Sequence, residues 1–272
     1  MELIAERPLY FGPRGGRIAP GDVFEVDEST GRQMISDGSA VVRPVKILTI
    51  DSSRVSSLGS ISCIMPTRNR REWIPRAIKC FEAQTYANRE LIVLDNGESV
   101  RDLIPESANI RYFPLPGKQP TGQLRNLCCQ LSAAEFIAHW DDDDWYHPER
   151  LAEQVAAIGD KALTGYRKIL FHGAGVVFAY TYAGEQLLGN SLLYRRSWWA
   201  SHRFKAVAVG EDEDFVTRAI GNLTAADGRA RCVASIHPAN TSPRNLSAMR
   251  AKQNASKWLE LTESDLPKEY FI

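Results

Sequence analysis

No stretch of this 272-residue chain approaches the ~20 consecutive apolar residues that a membrane-spanning helix requires. The amino terminus lacks the basic, then apolar, then small-residue order of a secretory signal. The expectation is a soluble protein of the cytoplasm, bacterial or that of a phage-infected host. Nor is there charge of one sign to spare, since Lys plus Arg and Asp plus Glu number 33 each. That balance disfavours a mainly electrostatic grip on nucleic acid or anionic lipid, although a local basic patch is compatible with it. Cysteines are few and unpatterned. Cys63, Cys80, Cys128, Cys129 and Cys232 are odd in number and show no CxxC spacing, which argues against a disulfide frame or a zinc site. Cys63, Cys80 and Cys128 fall in apolar patterns and read as small core residues. Hydrophobic residues at 44% and charged residues at 24% are ordinary for a globular chain long enough for one large domain and a small appendage.

Against this plain background one segment stands out. His139–Trp140–Asp141–Asp142–Asp143–Asp144–Trp145 places four consecutive carboxylates directly after Phe136–Ile137–Ala138, an apolar run that reads as a buried strand. Two carboxylates about 5 Å apart repel by roughly 3 kcal/mol at an effective dielectric near 20. A chain leaving a core strand has reason to accept that repulsion where a cation relieves it. Hard divalent ions such as Mg²⁺ or Mn²⁺ take carboxylate oxygens and usually keep phosphate oxygens in the same shell. The plainer alternative is a solvated acidic turn.

From Ser60 onward the pattern alternates. Strands are expected at Ile61–Met65 (ended by Pro66), Leu91–Leu94, Ile110–Phe113 and Phe136–Trp140. Helices are expected from Glu72 to Gln84, from a Thr121 cap through Leu131, and from Pro148 through Ile158. Strand–helix alternation implies a mostly parallel sheet covered on both faces, whose ligands bind beyond the carboxyl ends of the strands. Thr67–Arg68–Asn69, Asp95–Asn96 and Asp141–Asp144 each follow a strand, so such a fold gathers them at one rim. The second half reads as strands within Lys168–Tyr182, at Asn190–Tyr194 and at Arg231–Ile236. A short helix carries Trp198 and Trp199, another follows Glu211–Asp212, and a surface helix spans Asn245 to Leu261. Three regions follow: a small β-rich accessory segment and linker at 1–57, a main domain at 58–240, and a helix and tail at 241–272. The first could serve as an oligomerisation arm, and its Gly16–Asp27 pattern resembles small segments of phage structural proteins.

Four motifs occur in order: Ser62–Cys63–Ile64–Met65–Pro66–Thr67–Arg68–Asn69–Arg70, Glu90 to Gly97, Leu124–Arg125–Asn126 and Trp140 to Trp145. Together they resemble the family-two glycosyltransferases of the GT-A fold, over about Ser60 to His237. The resemblance implies inverting transfer from a nucleotide sugar, usually a UDP-sugar, with Mn²⁺ or Mg²⁺. It implies that Pro66, Thr67, Arg68 and Asn69 edge the base and ribose. Asp95, with Asn96, would meet the uracil, and Arg125 and Asn126 would lie near base and diphosphate. Asp141 and Asp143 would form the Asp-x-Asp pair, with Asp142 between them. Asp143 would be the direct metal ligand, Asp141 would lie nearer the ribose, and His237 would stand as a further ligand. Asp212 would deprotonate the acceptor hydroxyl. His139–Trp140, Arg68 and Ala134 depart from the family pattern. The implied acceptor is a glycan, with a modified DNA base or a protein also open; zero net charge disfavours duplex DNA. A non-catalytic nucleotide-sugar-binding or virion-associated module is the competing expectation. A nucleotidyltransferase is a third, but the chain lacks the Gly-rich, Lys/Arg-bearing loop after the first strand that such enzymes use.

Overall fold

A computed structural model describes residues 59–182, 184–226, 231–241 and 258–271, the backbone alone at Trp258 and Glu260, and the backbone of five short strands between residues 2 and 42. Read from sequence as a short helix and a linker, residues 28–36 and 51–57 lie outside the described residues. The chain forms two compact units, Met1–Ser52 and Ser53–Ile272. In the first, β1 (Glu2–Ala5) pairs antiparallel with both β4 (Val23–Glu25) and β5 (Ala40–Val42), while β2 (Leu9–Tyr10) pairs with β3 (Arg17–Ile18).

The second unit is built on two sheets. Its strands are β6 (Ile61–Thr67), β7 (Arg89–Asp95), β8 (Ile110–Pro114), β9 (Phe136–His139), β10 (Trp145–Tyr146), β11 (Leu163–Gly165), β12 (Lys168–Gly173), β13 (Val176–Thr181), β14 (Leu193–Arg195), β15 (Leu223–Ala225), β16 (Cys232–Ser235) and β17 (Trp258–Leu261). Its helices are α1 (Ile74–Glu82), α2 (Thr121–Leu131), α3 (Arg150–Ile158), α4 (Arg196–Ser201) and α5 (Glu211–Arg218). The larger sheet runs β15-β11-β14-β9-β6-β7-β8 and the smaller β10-β16-β12-β13-β17. Around β6 every pairing is parallel, whereas β14 runs antiparallel to both β9 and β11. The expected mostly parallel α/β sheet is present, with a reversed strand inserted beside β9.

The core follows from the apolar runs. Ile61, Cys63, Ile64 and Met65 of β6 and Leu91, Ile92 and Val93 of β7 are fully buried. Such a two-faced run is what a strand covered on both sides requires. Ile74, Ala77, Ile78 and Phe81 recur at helical spacing and form the buried stripe of α1, as expected. Burying a ring such as Phe81 stabilises the fold by about 2–3 kcal/mol. All five cysteines are free and buried.

Several elements differ from expectation. β6 does not stop at Pro66 but continues to Thr67, because β9 pairs with it only as far as Ile64↔His139. Beyond that point β6 bonds on its β7 side, so the N–H that proline lacks is not needed on the other. Gly189–Ser191 forms a 3₁₀ turn, and β14 begins only at Leu193. Thr121 is the first residue of α2 rather than its cap, which is Pro120. The end of the helix expected at 245–261 is instead the strand β17, paired with β13; residues 242–257 lie outside the described residues. Among the described residues no helix is long and apolar enough to cross a membrane.

Candidate active site

Parallel register brings the strand ends together. Thr67 lies opposite Asp95 where β6 pairs with β7, and His139 ends β9 on the other side of β6. The chain then crosses from the larger sheet to the smaller one, and the crossing is the acidic loop Asp141–Asp144. On arrival, β10 pairs antiparallel with β16 in the register Trp145↔Val233. That register carries the loop back alongside Ser235 and His237, residues distant in sequence.

Each aspartate has its own partners. Asp141 accepts from Arg125 Nη2 at 3.3 Å, its side chain 26% exposed. Asp142 accepts from Thr67 Oγ1 at 2.6 Å and from Arg70 Nη1 at 2.8 Å. The Oδ2 of Asp143 meets Arg70 Nη1 at 2.8 Å, His237 Nε2 at 3.0 Å and Asn240 Nδ2 at 3.3 Å. Asp144 accepts from Asn190 Nδ2 at 2.6 Å and from the Ser235 N–H at 3.0 Å, which fastens the loop to β16 and to the Gly189–Ser191 turn. Burial pushes the Asp142 carboxyl up to about 7, against the pull of Arg70. Burial, with Asp143 and Asp141 adding, raises Asp144 well above the ordinary carboxylate value. Asp141 is raised too, first by desolvation and then by Asp143 and Asp212, with Arg125 opposing. The loop thus holds more negative charge than its two arginines comfortably balance.

Arg125, on the buried face of α2, is the hub of the opposite wall. Its Nε donates to Glu211 Oε1 at 3.1 Å, and Nη1 abuts His139 Nδ1. Burial pulls its pKa down, but Asp141, Glu211 and Asp212 more than offset this and hold it above the ordinary value. His139 Nδ1 also meets the Gly189 carbonyl at 2.6 Å, and burial with the Arg125 charge pushes His139 well below the usual imidazole value. A neutral ring donating Nδ1–H to Gly189 fits both facts, and Arg125 Nη1 then meets Nδ1 as a charged neighbour and not as a hydrogen-bond donor to it. Gly189 in turn lies so close to Asp212 that a Cβ there would collide with the Asp212 carboxylate. Asp212 sits in the first turn of α5 beside Glu211, where the helix dipole favours a carboxylate. Asp141 is thus an electrostatic neighbour of both Asp143 and Asp212.

Other expected residues are arranged differently. Asp95 spends its carboxylate on its own loop, accepting from Gly97 N–H (3.1 Å), Val100 N–H (2.9 Å) and Tyr112 OH (2.7 Å). Asn96 braces the loop 115–119, donating to the carbonyls of Leu115 and Gly117 and accepting the Gln119 N–H. Pro66 is half-buried, while Arg68 and Asn69 are exposed at the lip. Asn69 has φ 54° and accepts the Glu98 N–H at 2.8 Å. Asn126 turns away from the rim altogether. Its amide donates to Phe204 O and accepts Trp199 Nε1 and Phe204 N–H, at 2.9, 2.9 and 3.0 Å. Helical spacing turns Asn126 about 100° from Arg125, and its amide is committed to the Trp199–Phe204 segment in place of the expected diphosphate. Trp140, Trp145 and Trp199 are buried core residues.

A divalent cation is implied by the resemblance, and the donor set can be tested against it. Among the described residues no three His, Cys, Asp or Glu side chains converge on one metal position. Asp143 Oδ2 and His237 Nε2 do meet, 3.0 Å apart. Mg²⁺ and Mn²⁺ are commonly held by one or two protein ligands with phosphate oxygens completing the shell. The residues fit a cation that arrives with a diphosphate, not one caged by protein alone.

Residues 62–196 match the family model described as Glycosyl transferase family 2. The chain carries a family 2 glycosyltransferase domain. The matched span takes in Thr67, Asp95, Arg125 and the acidic loop; Asp212 and His237 lie beyond it. The glycosyltransferase domain is similar to the GalNAc(5)-diNAcBac-PP-undecaprenol beta-1,3-glucosyltransferase of Campylobacter jejuni, 33% identical over 117 residues, 40% of this chain and 36% of that protein. Among solved structures it resembles S. aureus TarS 1-349 in complex with UDP-GlcNAc, with TM-score 0.56, 16% identity, and 78% and 69% of the two chains covered. The mannosyltransferase PcManGT from Pyrobaculum calidifontis, in complex with GDP-Man and Mn²⁺, gives TM-score 0.54 and 14% identity over 73% and 62% of the chains. These likenesses establish the GT-A fold. The chain spans only about a fifth of the length of two rickettsial uncharacterized glycosyltransferases that it also matches, 19% of each.

Proposed function

We propose that this chain is a metal-dependent inverting glycosyltransferase that moves a sugar from a nucleotide donor, UDP first, to an acceptor hydroxyl. One observation carries the reading: Asp141 lies within electrostatic reach of both Asp143 and Asp212, and one buried arginine, Arg125, joins it to Glu211 beside Asp212. When bound, Mn²⁺ or Mg²⁺ would neutralise charge developing on the departing diphosphate, held by Asp143 and His237 with Asp141 nearby. The Asp212 carboxylate takes the proton of the acceptor hydroxyl. The acceptor oxygen bonds to the anomeric carbon as the bond from that carbon to the diphosphate breaks, and attack from the face opposite the leaving group inverts the centre. Arg125 keeps Asp141 and the first turn of α5 at fixed separation while this happens. The nucleotide sugars and Mn²⁺ bound by the structural neighbours support donor class and metal use in general. The glucosyltransferase activity of the Campylobacter relative supports a glycan acceptor.

The test is nucleoside diphosphate release from a panel of UDP- and GDP-sugars with Mn²⁺ or Mg²⁺, with candidate glycans supplied. Asp212→Asn is expected to lower kcat by about 10²–10⁴ while nucleotide affinity holds. Asp143→Ala is expected to abolish metal-dependent turnover. Tight nucleotide binding with no turnover on any acceptor would favour the non-catalytic binding module.

A further inference from the structure

The acidic loop already has a cation, and it belongs to the chain. Arg70 lies three residues past the end of β6. Its Nη1 bridges Asp142 Oδ1 and Asp143 Oδ2, 2.8 Å from each, with only 14% of its side chain exposed. Its Nη2 faces the other way, donating to the Ala239 carbonyl at 2.7 Å and to Thr241 Oγ1 at 3.3 Å. The guanidinium therefore ties the acidic loop to the turn that follows β16. That turn supplies the remaining donors on the same Asp143 oxygen, His237 Nε2 and Asn240 Nδ2. The Asn240 side chain also braces the turn through the His237 N–H and the Ser235 carbonyl.

Three donors on one carboxylate oxygen leave it no free lone pair. A divalent ion reaching Asp143 Oδ2 must displace some of them. A guanidinium stays charged at any working pH and can give way only by moving. Asp142 would keep hold of Arg70 after Asp143 is lost, so the movement is a swing about one anchor.

Resting on the metal-dependent reading above, we infer that Arg70 is a built-in counter-cation that competes with the divalent ion for Asp143 and latches the 237–241 turn over the acidic loop until that ion arrives. Cation entry then releases the Ala239 and Thr241 contacts and loosens the turn at the rim.

The experiment titrates the full chain with Mn²⁺, following free Mn²⁺ by electron paramagnetic resonance, with and without UDP. Hydrogen exchange of residues 237–241 is recorded alongside. Removing the competitor in Arg70→Met is expected to tighten Mn²⁺ binding by about tenfold or more, while the charge-retaining Arg70→Lys stays within about threefold of the unaltered protein. In the unaltered protein, saturating Mn²⁺ is expected to speed exchange at 239–241, a readout that needs no variant to fold. Arg70→Met binding Mn²⁺ no more tightly than the unaltered protein, or exchange at 239–241 indifferent to Mn²⁺, overturns the inference. If no form binds Mn²⁺ even with UDP, the latch falls too; sugar transfer measured without metal would then leave the transferase reading standing on its own.

Discussion

At the scale of single residues, adjacent side chains of α2 do unlike work. Arg125 is aimed at the rim and joins Asp141 to Glu211, whereas Asn126 stitches α2 to the Trp199–Phe204 segment through three hydrogen bonds. Asn126→Ala should therefore cost about 1–3 kcal/mol of stability in urea denaturation and leave nucleotide affinity where it was. A weakened affinity with unchanged stability would return Asn126 to the binding site. The residues that sequence reasoning found and missed divide along a physical line. Asp141, Asp143 and Asp212 could be named as candidates because carboxylates at strand and helix ends are costly and few roles explain them. Arg70 stood inside a quoted motif, yet its partners lie 72, 73, 169 and 171 positions away, and no local pattern encodes a contact of that kind. His139 was visible only as an oddity before the aspartates. Its use, holding the Gly189 carbonyl, depends on a turn that the sequence disguised as a strand.

At the scale of elements, the Gly189–Ser191 turn is the least legible and most connected piece of the rim. It accepts from His139, offers Asn190 to Asp144, and lets the Asp212 carboxylate lie flat against Gly189. The backbone there does not have the positive φ that glycine alone favours, so Gly189→Ala should fold. The added methyl has nowhere to go except into Asp212. Displacing a reacting group by about 1 Å can cost a hundredfold in rate. Gly189→Ala should thus lower kcat by one to two orders of magnitude, roughly, with the melting temperature and donor KM little changed. A fall in melting temperature with proportionate loss of all function would mean that the glycine serves packing alone. The long elements, by contrast, could be read directly. β6, β7, α1 and α2 carry apolar periods that tertiary contacts did not override, and their ends fell within a few residues of expectation. β10, β11 and β15 escaped because two or three residues carry no period at all.

Across the whole molecule, the buried charges set a pH dependence whose sign can be worked out. Asp142, at about 7 in the folded chain against 3.8 when exposed, favours folding fully below 3.8, and that contribution drains away as pH climbs through 7. Asp144 acts in the same direction. His139, held well below 6.5, acts in the opposite one: its contribution is whole above 6.5 and is lost as pH falls beneath it. Two aspartates outweigh one histidine where these ranges overlap, so the metal-free protein should be more stable at mildly acidic than at mildly alkaline pH. Because ionised aspartates are what a divalent ion relieves, the rise in melting temperature on adding Mn²⁺ should be larger at about pH 8 than at about pH 5. Thermal denaturation across that range, with and without the ion, checks this; an equal rise at both ends would remove these carboxylates from the cation's surroundings.

The direction of β14 has one further consequence. Parallel strands deliver chain to the rim only as they leave the sheet, but β14 runs the opposite way, so the segment before it arrives there before entering. The wall proposed for the nucleotide is therefore built from strand exits whose spacing the β6–β7–β9 register locks. The wall around Asp212 is built from an incoming stretch that strand register does not hold; upstream of Gly189 it is tied by the Leu188 N–H to the Tyr166 carbonyl at 3.0 Å, with Leu187 and Leu188 buried. Lengthening or recomposing residues 184–186 would reshape the side proposed for the acceptor without shifting a single pairing on the side proposed for the donor.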